Sequence, residues 1–592
     1  MSAREPPELA SSPGPLALLR QRFPPSALAL VLPVAVLSAD PGLLSYLPQA
    51  AASLAASFLR MLLAYILSLG FSLAYGYAAA VNRSAERVLI PILDILQSVP
   101  ILGFFPFVVL AFVSLTGPTS IIGPNIAAIF LIFTSMSWNM AFGVYESIKG
   151  IPNDMLEATD SLGLTGVQRL RYLYFPATIN RLVYNSVLSW TAGWYYLVGA
   201  EIIGSGQVPV TLPGIGSFLF VSATTGAVGP LLVGTALLVV LIAALDLFVW
   251  RPAGRWAEQY RYDQAPSGET ELVAQSGLDE RVRRSVSTVA RGFVGGVNRV
   301  TSPLVSLGTN TVGRIRRRTH LPPGVIRYLL VGSILVVGWF ALIALSVSVY
   351  HVISGPISGP VRAQVDLIPM ALAASFGRVL LAYGLSLAIT FPVVLYFVRK
   401  PSAARMGMPA IEVIASFPAP ALFPLLLVTL ALVFGLDATV VVAVMTGMIW
   451  YVFFNVYSGL KAVPPDLQEA GRSLGLKGRL SFRRLTLPAI FPAFVTGSIT
   501  AFGGGWNSLI YAEWYSTQIH ATAATGASSA ACASQGVLGL GQLLEVGTYC
   551  YPGSEGLPLM VFSLFTLVGA VIAVNELLWK PMYRRARRYS IE

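Results

Sequence analysis

Two arginines and two glutamates stand in stretches of this chain that are otherwise apolar: Arg60 and Arg378, Glu201 and Glu513. Ionisable side chains in such surroundings are costly, so they are the first candidates for chemistry. Two guanidinium groups facing a shared cavity attract an anion, and two carboxylates can hold them in place through charge-assisted hydrogen bonds. The alternative is that each arginine snorkels to a headgroup or pairs statically with its glutamate. Trp194 and Trp506 come about two turns before the glutamates and read as belt residues of a membrane interface. Asn507 stands where the first half has Tyr195, which would make a pathway asymmetric, and Gln97, Ser98 and Ser416, beside Pro100 and Pro418, offer polar contacts where a helix breaks. The scattered His320, His351 and His520 and the two cysteines form no metal or haem pattern. No catalytic residue, metal or cofactor is expected.

The elements that must position these side chains are set by composition. Of 592 residues, 55% are hydrophobic and 11% charged, too few charges to cover a water-soluble surface. Apolar runs long enough to cross a core of about 30 Å fall at 61–81, 89–113, 121–145, 182–204, 228–250, 327–349, 369–398, 409–434, 437–459, 490–512 and 557–579. A twelfth, from Ser26 to about Leu37, is short and also fits a cleaved signal peptide. Arginine and lysine gather on alternate loops, which predicts both termini in the cytoplasm of a multi-pass cell-membrane protein. That placement accounts for the net charge of +12 without nucleic acid. The basic linker, with Arg314, Arg316, Arg317 and Arg318, either lies on anionic lipid or is a solvated tether.

The two halves repeat each other. AASFLRMLLAY from Ala55 returns as AASFGRVLLAY from Ala373, an offset of 318 that also pairs Pro100 with Pro418 and Asp94 with Glu412. Later an offset of 312 pairs Trp194 with Trp506 and Glu201 with Glu513, and at the end 329 pairs Trp250 with Trp579. The expected organisation is an arm at 1–25, a first bundle at 26–251, a linker at 252–326, a second bundle at 327–583 and a tail at 584–592. Each half crosses an even number of times, so the repeats share one orientation about an axis along the membrane normal, with a pathway between them.

Between spans each half carries one pattern: EATDSLGLTGVQRLRYLYFPA from Glu157 and EAGRSLGLKGRLSFRRLTLPA from Glu469. These segments resemble the EAA loop of ABC-importer permeases. The resemblance implies an all-α membrane protein of two type I permease bundles in tandem, about 12 transmembrane helices. It also implies coupling helices in which Glu157, Ala158 and Gly163, and Glu469, Ala470 and Gly475, dock in ATPase subunits, two copies in all. The segments from Ser98 to Gly117 and from Ser416 to Gly435 look like the nitrate/taurine/sulfonate/bicarbonate group, which implies a small anionic solute and an extracytoplasmic solute-binding protein. The third EAA position departs from the pattern, being Thr159 in one half and Gly471 in the other, so the two coupling helices need not be equivalent. No GxxxxGK[ST] loop occurs, so ATP hydrolysis falls to partners. The competing reading is an ion-coupled secondary transporter or channel without an ATPase.

Cys532 and Cys550 both fall in a segment expected outside, where the compartment is oxidising, and are expected to form a disulfide.

Overall fold

The structure is a computed structural model that describes residues 41–98, 101–117, 120–207, 212–260, 350, 354–415, 417–521, 536–551 and 555–586. The expected spans at 26–37 and 327–349, most of the linker, Ser416 and Cys532 lie outside the described residues.

The first half opens with a 3-10 turn, Pro41–Tyr46, and helix α1, Leu47–Val81, whose proline sits in the first turn where a missing N–H costs nothing. Then follow α2, Arg83–Ser98; α3, Ile101–Thr116; α4, Ile122–Lys149; and the short α5, Asn153–Ser161. Helix α6, Phe175–Gln207, returns across the layer, α7, Ile215–Thr224, is a short apolar helix, and α8, Val228–Leu245, completes the half. The second half repeats this order. Helix α9, Ile368–Arg399, α10, Pro401–Ala415, and α11, Ala419–Phe434, are followed by α12, Leu436–Thr446, and α13, Ile449–Lys461. After α14, Pro465–Ser473, come α15, Leu487–Ala521, α16, Leu540–Tyr549, and α17, Leu557–Val574. Among the described residues six helical stretches are long and apolar enough to cross a membrane, or seven with α12 and α13 taken as one bent span.

Two expectations about continuous spans change. The run at 409–434 is two helices, broken at Phe417 and Pro418 before Ala419. Pro418 disfavours helix at the residue before it and is itself extended at ψ 115°; the corresponding residues 99 and 100 lie outside the described residues. The run at 437–459 is likewise bent by 41° between α12 and α13. There α15 comes so close that a side chain on Gly447 would meet Ser508 Oγ. The corresponding α4 is unbroken.

Each half is held by matching cores. Tyr65 packs edge-on against Trp190 with ring centroids 5.3 Å apart, and its counterpart Tyr383 packs so against Phe502 at 5.0 Å. Trp190 meets Trp250 at 5.5 Å, as Phe502 meets Trp579 at 4.9 Å. These aromatic triads tie α1, α6 and the segment after α8 together, and likewise their repeats. The halves meet where α11 packs against α7 and α6, and α15 against α3.

Four π-helical turns recur at equivalent places: Leu170–Tyr174, Asp246–Trp250, Phe482–Thr486 and Asn575–Trp579. Each is followed by one residue and then a proline, and that residue, Phe175, Arg251, Leu487 or Lys580, has an N–H that reaches back five residues. A proline ring clashes with the carbonyl four residues earlier, and a wider turn relieves the clash without ending the helix. The chain runs on through Pro252 as helix to Ala257 and a 3-10 turn to Tyr260, with Ala257 buried against the bundle.

Candidate functional site

Arg60 and Arg378 find their hydrogen-bond partners within separate halves. Each is buried within its own half and clamped. Arg60 donates to Glu201 Oε1 at 2.6 Å, to Asn125 Oδ1 at 2.7 Å and to the Pro213 carbonyl at 2.7 Å. Arg378 donates to Glu513 Oε1 at 2.7 Å, to Asp437 Oδ1 at 2.6 Å and to the Leu538 carbonyl at 2.8 Å. Glu201 also accepts from Ser57 at 2.6 Å and from the N–H of Gly216 at 2.8 Å; Glu513 accepts from Ser375 at 2.8 Å and from the N–H of Gly541 at 2.9 Å.

The carboxylate thus lies against the first amides of α7, or of α16, where a helix N-terminus favours negative charge. The close approach requires glycine: a Cβ on Gly214 or Gly539 would stand 2.2 Å from the Glu201 or Glu513 carboxyl carbon. One buried ion pair gathers α1, α4, α6 and α7 in the first half, and another gathers α9, α12, α15 and α16 in the second. Their geometry is that of static pairing.

The other expected pathway residues are placed differently. Trp194 and Trp506 are 2% exposed, so they are core residues and not an interfacial belt; Trp506 stacks on Phe376 at 6.3 Å. Asn507 lies in the seam between halves, donating to the Gly503 carbonyl at 3.0 Å and facing the Leu102 N–H at a long 3.5 Å. Beside it the Tyr195 hydroxyl meets Ser508 Oγ at 2.9 Å across the seam. Gln97 is exposed at the end of α2, while the side chains of Ser98 and Ser416 lie outside the described residues.

Sequence reasoning missed the rest of both clamps. Ser57 and Ser375 sit inside the first repeated motif, and Asn125 and Asp437 correspond at the offset of 312, so a search for repeated polar residues would have found them.

On the opposite face, α5 and α14 end alike. Gly163 and Gly475 have φ of +65° and +69°. The N–H of Leu164 reaches the Thr159 carbonyl at 3.1 Å, and that of Leu476 reaches the Gly471 carbonyl at 2.9 Å. This is the Schellman cap, which needs a left-handed residue at the glycine position. The third EAA position is therefore the residue whose carbonyl closes the cap. Thr159 returns its hydroxyl to the Leu156 carbonyl at 2.7 Å, while Gly471 leaves room for Leu485. Glu157, Ala158, Glu469 and Ala470 are exposed, as are Leu162 at 75% and Leu474 at 77%.

The two ends differ in their ionic supports. Arg169 pairs with Asp160 beside α5, whereas Ser481 and Arg472 stand at those places beside α14. Glu86 accepts from Tyr145 at 2.6 Å and from Lys149 at 2.7 Å, whereas its counterpart is Ala404.

The family model described as "Binding-protein-dependent transport system inner membrane component" matches residues 66–250 and again 381–573. The chain belongs to this family, as two such components fused in tandem. It is 25% identical over 194 residues to the taurine transport system permease protein of Escherichia coli, covering 33% of this chain and 65% of that relative. It is 25% identical over 174 residues to the nitrate import permease protein of Leptolyngbya laminosa, covering 29% and 57%. To the bicarbonate transport system permease protein of Synechococcus elongatus it is 23% identical over 194 residues, covering 33% and 65%. The matches thus span between half and two thirds of these relatives' lengths.

Proposed function

We propose that this chain is the membrane-spanning subunit of an ATP-driven importer for a small anionic solute of the kind that the relatives' names specify. In this reading α5 and α14 are the coupling helices, each docking in one of two ATPase subunits. A solute-binding protein delivers the solute to the opposite face, and both termini lie with the ATPases in the cytoplasm. The observation that carries the reading is the pair of identically capped, exposed helix ends with Glu157, Ala158 and Leu162, and Glu469, Ala470 and Leu474.

The mechanism follows from connectivity. The Schellman cap fixes the direction in which the chain leaves α5 through a turn of four residues, Leu162–Thr165, after which a short helix from Gly166 and a π-turn run unbroken into α6. A push on α5 therefore moves α6 as a rod. Glu201, near the far end of that rod, carries α7 with it through the Gly216 amide and α1 through Arg60. The same train runs from α14 through α15 to Glu513, α16 and α9. Closure of the ATPases thus changes the spacing of the halves at the distant face. In this scheme the arginines transmit the motion, and the solute meets other groups.

The test is uptake into liposomes holding the permease, the ATPase and the binding protein encoded beside it. Uptake that needs ATP and both partners is expected. Uptake driven by an ion gradient with no ATPase present would favour the secondary transporter and sink this reading.

A further inference from the structure

The repeat places Tyr511 opposite Gly199, and the two meet: a Cβ on Gly199 would stand 3.9 Å from Tyr511 Cδ2 and 3.3 Å from Leu102 Cδ2. A residue that touches its own repeat counterpart lies at the pseudo-two-fold axis. The Tyr511 ring therefore occupies the seam along which an axial pathway must run. One turn further along α15, Tyr515 packs edge-on against Phe220 of the first half, with centroids 5.3 Å apart. Tyr511 rests on Phe423 at 5.2 Å, and the two tyrosine rings are 6.1 Å apart.

Both tyrosines are fully buried, and neither hydroxyl has a hydrogen-bond partner among the described residues. Buried phenol groups normally find an acceptor. Elsewhere in this fold they do: Tyr383 donates to Ser498 at 2.6 Å and Tyr195 to Ser508 at 2.9 Å. At the counterparts of Tyr511 and Tyr515 the first half has Gly199 and Ile203, so the two donors come from one face of one helix. We propose that the Tyr511 and Tyr515 hydroxyls form a subsite on the pathway for the oxyanion group of the solute, closed in this conformation by the Tyr511 ring over Gly199.

The proposal rests on the importer reading and deepens it. The arginines are held by Glu201 and Glu513, so recognition in the seam falls to neutral donors. A neutral phenol binds an anion through one directed hydrogen bond and releases it more readily than a buried cation does. Two neutral donors suit singly charged oxyanion groups, such as nitrate, bicarbonate or a sulfonate.

The experiment measures ATP-driven uptake of nitrate, bicarbonate and taurine by the reconstituted complex, normalised to folded permease, with sulfate as competitor. Tyr511→Phe with Tyr515→Phe keeps the ring packing and removes the donors. It is expected to lower uptake of whichever solute the unaltered chain carries by about ten-fold or more. Tyr383→Phe, outside the seam, serves as control and is expected to change uptake less than about two-fold. Tyr511→Ala should in addition open a leak that needs no ATP, and sulfate should not compete with the unaltered chain. Unaltered uptake by the double phenylalanine variant overturns the subsite while leaving the importer reading intact. Absence of ATP-driven uptake of all three solutes by the unaltered chain removes both.

Discussion

Arg378 donates to one oxygen of Asp437 through both Nε and a terminal nitrogen, at 3.1 and 2.6 Å, where Arg60 meets the neutral amide of Asn125. The second clamp therefore carries one more negative charge than the first. Asp437 is 76% exposed, so its ion pair is expected to contribute only about 0.2–1 kcal/mol. Asp437→Asn should thus shift the thermal midpoint little. A large loss would show that the exposed carboxylate is needed to hold Arg378.

The inner pairs behave differently. Arg60→Gln or Arg378→Gln leaves Glu201 or Glu513 buried without its cation, a cost of about 3–5 kcal/mol. Folded protein should fall sharply. If the arginines are clamps, Arg60→Gln with Glu201→Gln recovers most of the folded protein and of the uptake per folded molecule. Recovery of folding without recovery of uptake would mean that the guanidinium meets the solute.

Gly163 and Gly475 have open space around the position of a Cβ, so substitution there acts through the backbone. A β-branched residue at positive φ costs about 1–2 kcal/mol and would straighten or shift the cap. Gly163→Val with Gly475→Val is expected to insert normally, yet to lower ATP-coupled uptake by about ten-fold, which corresponds to about 1.4 kcal/mol. Wild-type uptake by this variant would remove α5 and α14 as coupling helices.

Cys550, buried just after α16, is expected to pair with Cys532 across a loop of 17 residues. Closing a loop of this length stabilises by roughly 3 kcal/mol in the chain-entropy view. Mass spectrometry of unreduced protein should find no free thiol, and labelling of both cysteines would refute the pairing.

The hydrogen bonds that Glu86 receives, first from Lys149 and then from Tyr145, hold its carboxyl below the usual carboxylate range. A lowered folded-state value means that the contribution is complete above the unfolded value and is lost as pH falls through the folded one. The difference in thermal midpoint between wild type and Glu86→Gln should therefore be constant near neutrality and shrink below about pH 4.3. A difference that persists at pH 3 would show that the latch does not depend on the charge.

Much of this protein is fixed by local sequence. Long apolar runs have one way to satisfy their backbone in a bilayer, so the helices were legible, and the offset between repeats fixed the two-bundle organisation. Helices at the Glu-Ala segments were legible only through the family resemblance, and their left-handed glycine caps came from the structure. Continuity was less legible, since proline broke the helix at Pro418 but was absorbed by a π-turn at Pro176, Pro252, Pro488 and Pro581. Which outcome follows depends on neighbouring helices.

Tertiary structure alone decided what the charged residues meet. Arg60 and Glu201 lie 141 positions apart, and the Pro213 carbonyl that completes the site belongs to a third segment. Nothing in hydropathy distinguishes an arginine that faces a cavity from one clamped inside its own bundle. Likewise the meeting of Tyr511 with Gly199 arises only when two similar halves pack about an axis. Side chains there are chosen by the other half, not by their sequence neighbours.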